Sequence, residues 1–141
     1  MGSTEQSITV GAPPETVWST IRNFHDMSWA PNVITKCTAV GELKGDQIGA
    51  RRVLNDAFHE TLIELDEVEH VFKYTIDDGP SPVSKDDIAG YVSVVRVKRS
   101  AGDAGTEVQW NSSWRGMDKE AKEFCQPIYV ALLEDLKKTL G

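Results

Sequence analysis

Cysteine and histidine are scarce in this chain, with two cysteines and three histidines in 141 residues. Cys37 and Cys125 have no second cysteine or histidine at metal-ligand spacing, which argues against a zinc site. The expectation is two reduced thiols, a cytoplasmic location and no metal or other cofactor. No apolar stretch is long enough to span a bilayer, and the first residues lack the basic-then-apolar pattern of a secretory signal. No run of four lysines or arginines occurs, and the net charge is -7. That sign opposes phosphate backbones and anionic lipid, so neither a nucleic-acid partner nor stable membrane insertion is expected. His25, His59 and His70 are scattered, and no serine or cysteine stands in a nucleophile motif. The doublets Asp77-Asp78 and Asp86-Asp87 lack calcium-loop spacing and read as solvated turns.

What is present is an ordinary globular composition, 40% hydrophobic and 26% charged, without repeats, low-complexity tracts or linkers. A chain of this length buries about 68–70% of its unfolded surface and needs no staple. The expectation is one domain over 1–141, a monomer or weak homodimer. Residues 4–11 read as a first strand. Pro13-Pro14-Glu15 opens a short helix over 14–24, with Val17, Trp18, Ile21 and Phe24 at helical spacing. Residues 25–30 read as a second short helical turn, stopped before Pro31. Six strands follow, at 33–41, 49–54, 58–67, 71–77, 91–99 and 106–115, with a loop at 78–84 and a turn at 100–105. From Asp118 the period changes to 3.6. Ala121, Phe124, Cys125, Ile128, Leu132, Leu136 and Leu140 make one apolar stripe, with Pro127 expected to kink the helix or remove one of its bonds. The fold class is therefore α+β: an antiparallel meander whose apolar face is covered by the last helix.

Charge positions decide which faces turn inward. Lys73 and Thr75 point out of the fifth strand and leave Phe72, Tyr74 and Ile76 inside. Arg96 and Lys98 leave Tyr91, Ser93, Val95 and Val97 inside, and Gln109, Asn111, Ser113 and Arg115 leave Val108, Trp110, Ser112 and Trp114 inside. Such a face under one helix suits either a ligand pocket or a solid core, and periodicity does not separate the two. Candidate ligand contacts are Phe72, Tyr74, Tyr91, Ser93, Trp110, Ser112 and Trp114 on the strands, Trp29 in the second helical turn, and Phe124 and Ile128 on the helix.

If the Asn55-Asp56-Ala57 turn is tight, Arg52 faces Glu60 across the third and fourth strands. Turned inward, the two form a guanidinium–carboxylate pair in an apolar pocket. Arg52 then holds a ligand oxygen and Glu60 moves a proton. Turned outward, they are an exposed ion pair of little energetic weight. Ile63 and Leu65, on the opposite face of the same strand, favour the outward arrangement.

The ordered motifs resemble the Bet v 1-like, START-related superfamily, in particular its polyketide cyclase/dehydrase and lipid-transport branch. They run from Ala12-Pro13-Pro14-Glu15-Thr16-Val17-Trp18 and Trp29-Ala30-Pro31-Asn32-Val33 through Gly49-Ala50-Arg51-Arg52 and Glu60-Thr61-Leu62-Ile63-Glu64. Gly90-Tyr91, Gly105-Thr106-Glu107-Val108-Gln109-Trp110 and the long helix complete them. The resemblance implies a helix-grip fold, a seven-stranded curved sheet around the C-terminal helix with two short helices after the first strand. It also implies a cavity for a small hydrophobic molecule and a gate in the loop at 78–87. Arg52 and Glu60 match an Arg and a Glu used by lachrymatory-factor-synthase-like members, with a shorter connection here. Three readings follow: a binder of a lipid-, polyketide- or aromatic-like molecule, a cofactor-independent cyclase, dehydratase or isomerase, and an interaction module with a vestigial cavity.

Overall fold

The computed structural model describes residues 1–101 and 105–141. Its elements are β1 (Gly2–Val10), α1 (Pro14–Ile21), β2 (Cys37–Val40), β3 (Arg51–Leu54), β4 (Phe58–Asp66), β5 (Val71–Asp78), β6 (Ala89–Arg99), β7 (Thr106–Arg115) and α2 (Asp118–Leu140). The seven strands form one antiparallel sheet in the order β1-β7-β6-β5-β4-β3-β2. Strands β2 to β7 are a meander, and β1 returns beside β7. The open sheet curves around α2, which is the helix-grip arrangement. Of the turn expected at 100–105, the flanks are closed by Ser100 N–H donating to Gly105 O at 3.0 Å; its centre lies outside the described residues.

Local chemistry explains the boundaries. Extended Pro13 precedes α1 and Pro14 stands at its first turn, where a missing N–H costs nothing. The helix buries Val17, Trp18 and Ile21 and stops there. The segment read as a second short helix forms successive turns instead. Asn23 Oδ1 takes the His25 N–H at 3.0 Å and Asp26 Oδ1 takes the Ser28 N–H at 2.9 Å. These local bonds compete with helical ones, and Pro31 supplies no donor. Strand β2 is shorter than the periodicity suggests, because the Asn55 side chain claims the N–H groups of Thr35 and Lys36 at 2.8 and 3.2 Å.

Inward and outward residues alternate on β6 and β7 as the charge pattern requires. Strand β4 departs from strict alternation. Leu62 pairs with Tyr74 and Glu64 with Lys73, so Ile63 is an extra, bulged residue. Ile63 stays on the outer face, and the bulge brings Leu65 as well as Leu62 toward the core.

Helix α2 runs through Pro127 as one 23-residue helix. It is stitched to the turn segment by two side chains, Asp135 and Thr139, and its C-terminal cap is tied to the junction between β1 and α1. Buried Asp135 accepts from Asn32 N–H at 2.8 Å and from Asn32 Nδ2 at 2.7 Å. Thr139 Oγ1 donates to Trp29 O at 2.9 Å, and Gly11 N–H donates to Gly141 O at 2.7 Å. Among the described residues no helix is long and apolar enough to cross a membrane.

Asp135→Ala should therefore destabilise the domain by about 1–3 kcal/mol, the worth of hydrogen bonds to a buried charged acceptor, since the exposed Asn32 can turn its freed donors to water. Denaturant melting checks this, and a change below about 0.5 kcal/mol would show that Asp135 does not hold the segment.

Candidate functional site

The polar end of the site is set by one hairpin. Asn55 and Asp56 both adopt positive φ, 53° and 55°, as the centre of a type I′ turn demands. Ala57 N–H closes it on Leu54 O at 3.0 Å. Ala57 stays in the loop as a third residue, so the ladder runs with Leu54 opposite Phe58 and Arg52 opposite Glu60. Both charged side chains lie on the concave side, Arg52 2% and Glu60 4% exposed.

A buried charge needs partners, and Arg52 has several. Its Nε and Nη2 lie 2.8 and 2.7 Å from the same Glu60 oxygen, Oε1. Its Nη1 donates to Phe24 O at 3.0 Å and to Met27 Sδ at 3.4 Å. The guanidinium carbon sits 3.8 Å from the Phe24 ring centroid and 5.1 Å from that of Tyr74. Burial raises the Glu60 carboxyl above the ordinary range and outweighs the opposing pull of Arg52.

Beside this pair is a cavity of about 140 Å³ between the sheet and α2. Arg52, Leu54 and Glu60 line it from the hairpin, Phe58, Tyr74, Ile76 and Trp110 from the sheet, and Cys125, Ile128, Tyr129 and Leu132 from α2. Met27, Val33, Ile34 and Asn55 complete the wall. Asn55 holds that side together, since Nδ2 also donates to Val33 O at 3.0 Å.

The inner face thus divides in two. Of the residues expected to touch a ligand, Arg52, Glu60, Tyr74, Trp110 and Ile128 line the cavity. Phe124 is half-buried and packs on Phe58, 6.2 Å between centroids. The other six are packed core, away from the lining of this cavity, and of them Tyr91 borders a second hollow. Trp29 lies on Trp110, and Phe72 lies between Trp18 and Tyr74. Tyr91 and Trp114 stack 5.1 Å apart, nearly parallel. Ser93 and Ser112 share a hydrogen bond of 2.7 Å. Tyr129, absent from the candidates, joins the halves. Its ring stacks on Trp110 at 5.5 Å, and its hydroxyl meets Tyr91 Oη at 2.5 Å and Ser93 Oγ at 3.2 Å. Burial pushes the Tyr74, Tyr91 and Tyr129 hydroxyls well above the usual phenol range, so they stay protonated. Tyr129 falls on the same 3.6-residue spacing as Cys125 and Leu132, and that signal was enough to find it.

The loop at 78–88 does not line this cavity. It buries Val83 and Ile88 and borders a second, more open hollow of about 370 Å³ near Thr75, Asp77 and Gly90. Ile76 borders both spaces. Among the described residues no three His, Cys, Asp or Glu side chains gather where a metal could be held.

This fold and site define a Bet v 1-like protein of the helix-grip type. The chain matches the family described as polyketide cyclase / dehydrase and lipid transport over residues 1–141, and it belongs to that family. A solved protein from Nitrosospira multiformis is 44% identical, with TM-score 0.94, over 99% of this chain and 96% of that one. XoxI from Bacillus cereus is 23% identical, with TM-score 0.81, over 99% and 96%. The ginseng major latex-like protein 151 of Panax ginseng shares the fold at 12% identity and TM-score 0.80, over 99% and 97%. No curated protein matches the sequence significantly.

Two outcomes test the electrostatics. Arg52→Met strands a buried carboxylate and should cost about 3–5 kcal/mol in denaturant melting; a cost below about 1 kcal/mol would contradict burial of the pair. The second is pH-dependent. A carboxyl raised in the folded state contributes stability that is present below its unfolded value of about 4.3 and lost as pH rises through its folded value. The stability difference between wild type and Glu60→Gln should therefore shift against the wild type as pH rises through that window. A difference independent of pH would show that the carboxyl is not raised.

Proposed function

We propose that the protein binds one compact, hydrophobic, ring-sized molecule in the cavity between the sheet and α2. The observation that carries this reading is an apolar, aromatic chamber with a single buried ion pair at one end. Ligand sites commonly combine those two features, apolar walls for affinity and a few polar groups for orientation. The volume of about 140 Å³ favours an aromatic-like molecule over a long acyl chain. An apolar cavity of roughly 150 Å³ accepts benzene, whereas drug-sized sites run to roughly 300–1,000 Å³. On this reading the protein works as a cytoplasmic monomer or weak homodimer, without cofactor and without nucleic acid.

A second reading is acid–base catalysis of the cyclase, dehydratase or isomerase kind. The raised Glu60 carboxyl favours it, because a proton carrier works best with a value near the operating pH. Arg52 would then hold Glu60 in place.

Toluene is a suitable first probe. Titrated into labelled protein, it should give saturable NMR shifts centred on Ile128, Tyr129 and Leu132. Ile128→Trp fills the chamber and should abolish them while the fold persists. Shifts that are absent in the wild type with both toluene and phenol, or toluene shifts that survive Ile128→Trp, would remove the binding reading.

A further inference from the structure

Glu60 uses only half of its carboxylate. Both Arg52 contacts fall on Oε1, and Oε2 has no hydrogen-bond partner among the described residues. Among the described residues, the fully enclosed side-chain atoms without a partner are Gln6 Oε1, Trp29 Nε1 and Trp114 Nε1. Oε2 is not among them, and Glu60 borders the cavity. The nearby hydroxyls are engaged elsewhere: Tyr74 Oη accepts from Trp110 Nε1 at 3.1 Å, and Tyr129 Oη bonds Tyr91 and Ser93. One carboxylate oxygen is therefore unpaired and not fully enclosed, on a residue that lines a mostly apolar chamber.

We propose that this oxygen selects the ligand: the cavity takes an uncharged, ring-sized molecule that donates one hydrogen bond to Glu60 Oε2, a phenol-like class, and rejects the same ring carrying a carboxylate. The inference rests on the binding reading above and adds the chemistry of the bound group. A ligand without a donor displaces the water that can reach this oxygen and leaves it unpaired, which is the costly state for a buried acceptor. An anionic ligand meets the opposite difficulty. Arg52 is already neutralised by Glu60 and directs Nη1 to Phe24 and Met27, so the anion would lose its water and face a like charge. Arg52 is thus a positioning residue that presents Oε2 by gripping Oε1.

The test compares phenol, toluene and benzoate by calorimetry on wild type and on Glu60→Gln. Using the phenol-to-toluene affinity ratio cancels the different cost of removing each from water. A hydrogen bond to a charged acceptor predicts a ratio at least about tenfold higher in wild type than in Glu60→Gln, where the amide N–H₂ can take the place of Oε2. Benzoate should not bind the wild type measurably. A second readout needs no variant: the ¹³C resonance of the Glu60 carboxyl should move on adding phenol and stay fixed on adding toluene. If toluene and phenol both bind, with an unchanged ratio and an unmoved carboxyl, the selectivity inference falls and the binding reading stands. Benzoate binding as tightly as phenol would also overturn it. If none of the three binds, both fall.

Discussion

Two opposite charges held out of water impose the strictest condition on this structure. Desolvating a guanidinium and a carboxylate costs several kcal/mol per ion, and attraction between them recovers that only with good geometry and further hydrogen bonds. Those further bonds come from parts of the chain that otherwise have little regular structure. The Phe24 carbonyl and Met27 sulfur belong to the turns after α1, and both bond Arg52 Nη1. The aromatic faces come from those turns and from β5. Placing the pair thus also places the turn segment over the sheet, while Asp135 and Thr139 of α2 hold its far end. A buried ion pair can often be replaced by apolar side chains with no loss of stability. Stability alone therefore gives no reason for a pair here, and still less for one that leaves a carboxylate oxygen unpaired.

Beyond the pair, the concave face does two jobs with one set of residue types. Toward β1 it is solid: Tyr91 stacks on Trp114, and the buried hydroxyls of Ser112, Ser93 and Tyr129 are linked in a chain. Toward β3 and β4 it is hollow. The boundary runs through Tyr74, Trp110 and Tyr129, which line the cavity while their polar atoms are already bonded, Trp110 Nε1 to Tyr74 Oη and Tyr129 Oη to Tyr91 and Ser93 on the solid side. This arrangement gives the chamber rigid aromatic walls and withholds those polar atoms from a ligand. Selectivity is then left to the charged pair.

Much of this was legible in the residues. Charge placement on β5, β6 and β7 decides their inward faces because those stretches keep a period of two. The Arg52–Glu60 register follows from the Asn55-Asp56 turn chemistry. The orientation of the pair was obscured by Ile63 and Leu65, which argue for the opposite face as long as β4 is taken as regular. The bulge at Ile63 breaks that argument, and no turn residue or glycine announces it. Residues 23–36 were misleading in another way. Their apolar spacing suggests helix and strand, but Asn23, Asp26 and Asn55 take their backbone donors into side-chain bonds. Nor does periodicity distinguish residues that line a void from those that fill a core, since both are inward. Trp110 and Trp114 lie on one strand at the same phase and fall on different sides of that division.

The two kinds of wall also differ in how firmly they are held. The floor is ladder-bonded sheet, where Arg52, Glu60 and Tyr74 are fixed by paired strands on either side. The rim at Val33 and Ile34 has no ladder; it is held by a turn on Ala30 O and by Asn55, whose side chain bonds the backbone at Val33, Thr35 and Lys36. Functional groups hold their geometry best when carried by strands and helices, and segments that open are drawn from the least bonded parts of a fold. The chain satisfies both demands with one hairpin. Its strands carry the charged pair, and its turn residue ties down the rim.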